Sequence, residues 1–169
     1  MLGIWYLSKT MVVMGVDPGI TGIGYGLVEG AKGRLRLIKF GKVILPPAPT
    51  FPPILQSAYH KIRRLIQTYH PDVFAVETVF SDKNPKGAIL LGHLRGVLLL
   101  AAADSGVSIV EFSPLEVKKG VVGRGMASKQ QVRFMVKSLL QLNDIPDSLD
   151  ASDALACAIC HLNNPKGSY

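Results

Sequence analysis

The sequence predicts an α/β fold in which helices flank a mixed five-stranded sheet. Two β-rich runs follow the first apolar segment directly and are separated only by a glycine-containing turn. Two later apolar runs have the length of strands and alternate with segments of helical periodicity. We therefore expect three antiparallel strands followed by two parallel ones, within a single domain of ordinary size.

The first half of the chain supplies the antiparallel strands. Residues 11–16 are all apolar or glycine and predict a buried strand that ends at the turn sequence Asp17-Pro18-Gly19. Residues 23–29 and 34–45 predict the next two strands, with a short hairpin between them. A proline-rich stretch then marks a loop before a helix whose apolar residues recur at helical spacing over residues 54–69.

The second half alternates strands and helices. Strands are predicted at residues 73–79 and 107–112, and a long apolar helix over 87–105 lies between them. Two capping signals predict where the next helices begin: Ser113 before Pro114, and Ser128 with Gln131 in a capping box for a helix to about Leu142. A last helix is predicted over residues 150–163.

Positive charge dominates a thinly charged chain. Lys and Arg total 19 against 12 Asp and Glu, which gives a formal net charge of +7. Such an excess favours a polyanionic partner, either a nucleic acid or an anionic membrane surface. The longest apolar run, residues 88–103, is shorter than the ~20 residues of a spanning helix and contains His93 and Arg95, so we expect no membrane segment.

The domain boundaries follow from the first strand. Residues 1–10 have neither a basic n-region nor a small-residue cleavage site, so they do not resemble an export signal. We expect them to be an additional, disordered N-terminal lead, followed by one domain over residues 11–163 and a tail over 164–169. The expected location is the cytoplasm.

Cys157 and Cys160 precede His161 and match the text of a c-type haem attachment motif. The motif lies at the end of an apolar helix, where small buried thiols are ordinary packing residues, and haem attachment requires export. A structural zinc site would need four ligands, and the chain has no second cysteine pair. We therefore expect neither haem nor zinc.

Acidic residues in apolar surroundings are the strongest indication of chemistry. Asp17 ends a buried strand, Glu77 lies within another, and Asp153 lies among small apolar residues of the last helix. A buried carboxylate is costly unless it is paired or bound to a cation. Asp150 precedes Asp153 by three positions, so the two share one helix face.

Three of the four acidic residues also have a simpler explanation, whereas Asp153, beside a run of small apolar residues, is harder to dismiss. Asp17 could be a turn residue, Asp150 a first-turn acid favoured by the helix dipole, and Glu77 a solvent-facing residue of an edge strand. Together, however, they can converge where two strands and a helix meet. Carboxylates without Cys or His neighbours prefer Mg²⁺ or Mn²⁺, and two such ions ~4 Å apart can support phosphodiester hydrolysis.

Four motifs, in order along the chain, resemble those of the RuvC family of Holliday junction resolvases, and the similarity extends from Met11 to His161. The motifs are Gly15-Val16-Asp17-Pro18-Gly19 with Gly24-Tyr25-Gly26, then Val76-Glu77-Thr78-Val79-Phe80, then Val117-Lys118 with Val121-Val122-Gly123, and finally the segment from Asp150 to Ala156. The resemblance implies a ribonuclease H-like fold and a homodimer that nicks two opposed strands of a four-way junction. It also implies Mg²⁺-dependent attack by water, 5′-phosphate ends, and a branch-migration complex of RuvA and RuvB as partner.

The resemblance also implies roles for particular residues. The metal-binding and catalytic carboxylates of the family correspond to Asp17, Glu77, Asp150 and Asp153. Its aromatic residue near the junction centre corresponds to Phe80, which could stack on an unpaired base, although a core phenylalanine is the simpler interpretation. Thr78 departs from the Gln or Glu of many members and leaves open how tightly the following loop is held.

Six basic residues fall within twenty positions, 118–137, and could contact DNA phosphates. A solvated helix face is the commoner meaning of such a cluster. The resemblance favours phosphate contact for Lys118 and Lys129, and the remaining members are candidates, namely Lys119, Arg124, Arg133 and Lys137. The helix predicted over residues 87–105 is apolar around much of its circumference, which indicates either a subunit interface or complete burial.

Three other functions compete with a resolvase. An ATPase of the actin and Hsp70 superfamily needs two lobes, and the chain has room for one. A non-catalytic DNA-binding module would not carry acidic residues that repel phosphate. A ribonuclease H or a transposase would share the acidic chemistry, and only the family motifs argue against it.

Overall fold

The computed structural model describes residues 10–31, 33–48, 50–78, 85–143 and 148–165. A single five-stranded sheet has the strand order β3-β2-β1-β4-β5. Its strands are β1 (Met11–Asp17), β2 (Gly22–Ala31), β3 (Arg34–Ile44), β4 (Val73–Glu77) and β5 (Ser108–Phe112). The helices are α1 (Pro52–Tyr69), α2 (Pro85–Asp104), α3 (Pro114–Val122), α4 (Lys129–Leu139) and α5 (Leu149–Asn163).

The pairing of the strands confirms the predicted mixed sheet. β1 pairs with β2, and β2 with β3, in antiparallel register, whereas β4 runs parallel to both β1 and β5. The predicted and observed elements differ mainly at their ends. β4 ends at Glu77, earlier than the predicted residue 79, and α4 ends at Leu139 because Leu140 already leaves helical geometry.

Both predicted capping signals are present. The Ser113 and Ser128 side chains accept hydrogen bonds from the backbone N–H groups of Glu116 and Gln131, and both boxes are reciprocal. A cap of this kind is worth about 1 kcal/mol to its helix. The two short helices α3 and α4 therefore begin at positions fixed by local sequence.

Two hydrophobic cores cover the two faces of the sheet. One core joins the sheet to α3, α4 and α5, with Val13, Val110 and Leu155 among its buried residues. The other core joins the opposite face to α1 and α2. Alternate residues of β1 supply both cores, as expected for a central strand with covered faces.

The last helix, α5, is buried along most of its length. Every residue from Ala154 to His161 is buried, including Cys157, Cys160 and His161. This confirms the prediction that the two cysteines are packing residues. Close approach to the sheet depends on bare backbone, because a Cβ atom on Gly15 would overlap the carbonyl oxygen of Ala154.

The second helix, α2, has one covered and one exposed apolar side. Leu94 and Leu98 are buried against α1, whereas Ile89 and Leu100 are 60% and 52% exposed. Among the described residues, α2 alone is long and apolar enough to cross a membrane by length and composition. The helix is longer than the apolar run in the sequence because it begins at Pro85. Arg95 in its middle forms an ion pair with Glu111 of β5.

Candidate active site

Two neighbouring parallel strands and one helix bring the four acidic residues together. Asp17 is the last residue of β1 and Glu77 is the last residue of β4, and these strands are adjacent. The first turn of α5 adds Asp150, and Asp153 follows one turn later. All four line one cavity of about 450 Å³, which confirms their predicted proximity.

The location follows from the fold. The carboxyl ends of parallel strands open on one edge of a sheet, and functional sites of α/β proteins lie at such edges. Successive residues of β1 point to opposite faces of the sheet, so Asp17 lies on the same face as Gly15. This is the face that α5 covers. Glu77 ends an internal strand, between β1 and β5, so it is not the solvent-facing residue of an edge strand.

Burial and mutual repulsion perturb these carboxyl groups. Desolvation, followed by the charges of Asp153, Asp150 and Glu77, raises the pKa of Asp17 from 3.8 to about 7. Desolvation is also the largest cause of the raised pKa values of Glu77 and Asp153. Perturbed carboxyl groups gathered in one cavity are typical of functional sites.

Two lysines pair with the carboxylates of α5. Lys42 Nζ lies 2.6 Å from Asp150 Oδ2, and both side chains are 32% exposed. Lys129 Nζ lies 3.7 Å from Asp153 Oδ2, and its side chain is 81% exposed. Sequence reasoning identified Lys129 but missed Lys42, because nothing in the strand pattern of residues 34–45 distinguishes this lysine from a solvated one.

The other predicted basic residues separate into two groups. Lys118 of α3 lines the acidic cavity together with Lys129, and the charges of both lysines partly offset the rise in the pKa of Glu77 that burial causes. Lys119 is exposed at the end of α3. Arg124 lines a different cavity, of about 520 Å³, beside α4. Of the predicted phosphate contacts, Lys118 and Lys129 line the cavity of the carboxylates, and the charge of Arg133 on α4 also acts on Asp153.

The segment after Glu77 is only partly described. Thr78 donates hydrogen bonds from its backbone N–H, at 2.8 Å, and from its Oγ1, at 3.2 Å, to the carbonyl oxygen of Phe112. Thr78 is thus anchored to β5 even though it departs from the family pattern. Phe80, the predicted stacking residue, lies outside the described residues.

The donor set suits a hard cation. All four groups are carboxylates, and oxygen ligands are those that Mg²⁺ and Mn²⁺ prefer. Within the described part of the chain, no three His, Cys, Asp or Glu side chains lie close enough together to hold one metal ion as they stand. The four carboxyl groups of this partly buried cavity repel one another when they are charged. Two of them form ion pairs with lysines, Asp150 with Lys42 and Asp153 with Lys129.

Comparison with known families places the chain among DNA endonucleases. The family model described as crossover junction endodeoxyribonuclease RuvC matches residues 13–161. The RuvC of Alkaliphilus oremlandii is 42% identical over 151 residues, which are 89% of this chain and 92% of that protein. The RuvC of Pelotomaculum thermopropionicum is 44% identical over 154 residues, or 91% and 94% of the two chains.

Solved structures agree with the sequence relatives. Thermus thermophilus RuvC superposes with a TM-score of 0.83 at 32% identity, covering 90% of this chain and 94% of that one. T. thermophilus RuvC in complex with a Holliday junction substrate gives 0.80 at 30% identity, with 90% and 93% covered. The yeast mitochondrial Holliday junction resolvase Ydc2 gives 0.69 at 13% identity, with 93% and 80% covered, and shares the fold. The predicted ribonuclease H-like architecture is confirmed.

Proposed function

The chain belongs to the RuvC family of crossover junction endodeoxyribonucleases, and we infer that it resolves Holliday junctions during DNA recombination and repair. The observation that carries this function is the family match over residues 13–161, together with the superposition on a RuvC solved with its junction substrate. The acidic cavity is the proposed site of phosphodiester hydrolysis.

We propose that Asp17, Glu77, Asp150 and Asp153 are the catalytic residues and hold two Mg²⁺ ions, for which Mn²⁺ can substitute. Their convergence in one cavity and their all-oxygen chemistry support this assignment. When bound, such a pair of ions supplies an activated water and stabilises the leaving oxygen. Because Asp17 ionises near neutral pH, the free protein holds less negative charge in the cavity below pH 7 than above it.

The remaining residues bind and orient the DNA. Lys118 and Lys129 stand beside the carboxylates and are the proposed contacts for phosphates that flank the scissile bond. Lys119 and Arg124 are proposed as outer phosphate contacts. Lys119 is exposed on α3, and Arg124 is exposed in the connection between α3 and α4. Phe80 is proposed to stack on an unpaired base at the junction centre, which would help to hold the strand over the carboxylates.

A homodimer is the proposed functional unit, since a resolvase must cut two opposed strands symmetrically. The exposed side of α2 supports this proposal. It presents Ile89 and Leu100 with Gly92 and Gly96 between them, and a Cβ atom on either glycine would meet nothing within 4 Å. Bare backbone between two apolar anchors lets a second helix approach closely across a two-fold axis.

The wider context is also a proposal. The family implies a branch-migration complex of RuvA and RuvB as partner and the cytoplasm as location. The apolar composition of α2 does not require a membrane, because the helix packs on α1 and forms its ion pair with β5. We also propose that residues 1–10 precede a single nuclease domain over 11–163 and that 164–169 form a tail.

A cleavage assay with Mg²⁺ tests the function. An end-labelled four-way junction, a linear duplex and an RNA–DNA hybrid are compared at equal concentration. Paired, symmetric nicks on the junction alone are expected. Cleavage of the hybrid would retain the acidic chemistry but assign the protein to ribonuclease H activity. Junction binding without any cleavage would indicate a binding module.

A further inference from the structure

Lys42, on the outer strand β3, reaches the carboxylates of the proposed active site from across the sheet. Lys42 on β3 is opposite Gly24 on β2, and Gly24 is opposite Asp17 on β1. Residues directly opposite one another in antiparallel strands project from the same face of a sheet. Lys42 and Asp17 therefore flank the first turn of α5 from its two sides.

Glycines give the lysine its path. Gly24 has no side chain, so the first turn of α5 rests directly on its backbone. The stem of Lys42 lies across Gly22, where a Cβ atom would overlap Lys42 Cε. The ammonium group then reaches Asp150 Oδ2 at 2.6 Å. This ion pair is only about one-third exposed, so it is less screened than the pair between Lys129 and Asp153.

From this geometry we propose that Lys42 is a positioning residue that acts as an exchangeable counterion of Asp150. In the DNA-free protein the ammonium neutralises Asp150 and opposes a divalent cation at that carboxylate. When DNA binds, the ammonium of Lys42 leaves Asp150 and pairs with a DNA phosphate at the rim of the cavity. Asp150 is then available to bind the divalent cation. Cation binding at the site is thereby coupled to arrival of the substrate.

Charge and reach support the exchange. A phosphate oxygen and a carboxylate oxygen are both good partners for an ammonium, and a lysine has a long stem that can move between them. The side chain is exposed enough to leave Asp150 without unfolding the strand. An ammonium and a divalent cation that share one carboxylate repel each other, so one must leave before the other binds fully.

The inference rests on the proposed metal site, and its test separates the two. Binding of Mn²⁺ alone to the DNA-free, full-length protein is measured by calorimetry for the wild type, Lys42→Gln, Lys42→Arg and Lys39→Gln. Lys39 is on the same strand opposite Leu27, whose side chain belongs to the other face of the sheet. The Lys39→Gln variant therefore loses the same charge as Lys42→Gln but leaves the contact with Asp150 in place.

Lys42→Gln should bind Mn²⁺ roughly fivefold to twentyfold more tightly than the wild type, because the competing charge is gone. Lys42→Arg and Lys39→Gln should bind like the wild type. Equal or weaker Mn²⁺ binding by Lys42→Gln would overturn the role of Lys42 and leave the metal site standing. If Asp150→Asn and Asp17→Asn also left Mn²⁺ binding unchanged, the acidic cavity would not be a metal site, and both proposals would fail.

A second measurement tests the phosphate partner. Junction binding is followed by fluorescence anisotropy in EDTA over a series of salt concentrations. Loss of one phosphate contact in Lys42→Gln should reduce the slope of log affinity against log salt by about one, whereas Lys39→Gln should keep the wild-type slope. A Lys42→Gln slope equal to that of the wild type would refute transfer of the ammonium to DNA.

Discussion

The carbonyl group of Asp150 lies directly above Gly24, so closely that a Cβ atom on Gly24 would overlap both the carbonyl oxygen and the carbonyl carbon. This contact therefore sets the distance between the sheet and α5, the helix that carries two of the four carboxylates. Substitution of Gly24 by Ala should lift the first turn of α5 and displace Asp150. We expect cleavage at least tenfold slower and a free energy of unfolding about 1–3 kcal/mol lower.

Single-turnover cleavage and urea denaturation would measure these two effects of Gly24→Ala. The displacement should impair cleavage even at a temperature where the variant remains fully folded. Wild-type cleavage together with wild-type stability would show that α5 does not rest on Gly24 as described.

Removal of any one carboxylate should stop the chemistry without removing the binding surface. Asp17→Asn, Glu77→Gln and Asp153→Asn should each lower the cleavage rate by at least about a thousandfold, because each removes an oxygen ligand and a negative charge from the cavity. Junction affinity in EDTA should be retained or slightly improved, since negative charge that repels phosphate is lost. The matched control is Glu29→Gln, at a partly buried residue that pairs with Arg36 and does not line the acidic cavity. Retained cleavage by any of the three variants would remove that residue from the site.

Asp17 should make the protein less stable as the pH rises. Its pKa is about 7 in the folded state against 3.8 in an exposed carboxyl group, so the folded state holds a proton that the unfolded state has lost. This contribution to stability is fully present below pH ~4 and disappears as the pH rises towards 7. In EDTA at pH 8, Asp17→Asn should raise the free energy of unfolding by about 1–3 kcal/mol.

Denaturation of Asp17→Asn and the wild type at pH 5 and pH 8 would test the sign. The gap between the two proteins should widen with pH, whereas Glu29→Gln should follow the wild type. A gap that narrows with rising pH would mean that Asp17 is stabilised as a carboxylate in the folded protein.

Charge reversal of the cavity lysines should weaken DNA binding in a salt-dependent way. Lys118→Glu and Lys129→Glu should each reduce junction affinity by roughly tenfold at low salt and lower the salt slope by about one. Arg64→Glu on α1, on the opposite side of the sheet, is the charge-matched control and should leave the slope unchanged. If the Lys variants kept the wild-type slope, these lysines would be solvated residues rather than phosphate contacts.

The exposed side of α2 should hold the dimer together. Ile89→Asp or Leu100→Asp places a charge on this side, and a buried unpaired charge costs several kcal/mol. Each variant should sediment as a monomer at concentrations where the wild type is a dimer. Leu115→Asp changes a residue of equal exposure on α3 and should remain dimeric. A dimeric Ile89→Asp variant would place the interface elsewhere.

Local signals in the sequence predicted most of the fold. The buried run of β1, the hairpin between β2 and β3, and both serine capping boxes depend on neighbouring residues, and each lies where it was predicted. The end of β4 was placed too late, because Thr78 and Val79 are residue types that favour strands, whereas β4 ends at Glu77. Strand termination depends on tertiary pairing, which residue type does not encode.

The candidate site was predicted only in part. The carboxylates were recognisable because a charged residue in an apolar run is unusual and because the family motifs contain them. Lys42 was not recognisable, since its contact with Asp150 depends on strand register. β3 contains a bulge where Leu27 pairs with Lys39 but Val28 pairs with Leu37. That one-residue shift decides which lysine of β3 faces α5, and no pattern in the sequence indicated it.

The burial of α5 has a consequence for biosynthesis. The helix α5, which completes the hydrophobic core over Val13 and Val110 of the sheet, is also the element that supplies Asp150 and Asp153. It comes after every strand of the sheet in the order of translation. A nascent or partly folded chain therefore lacks half of its acidic set until its core closes. Under the proposed assignment of the catalytic carboxylates, nuclease activity therefore requires that α5 has first packed on the sheet.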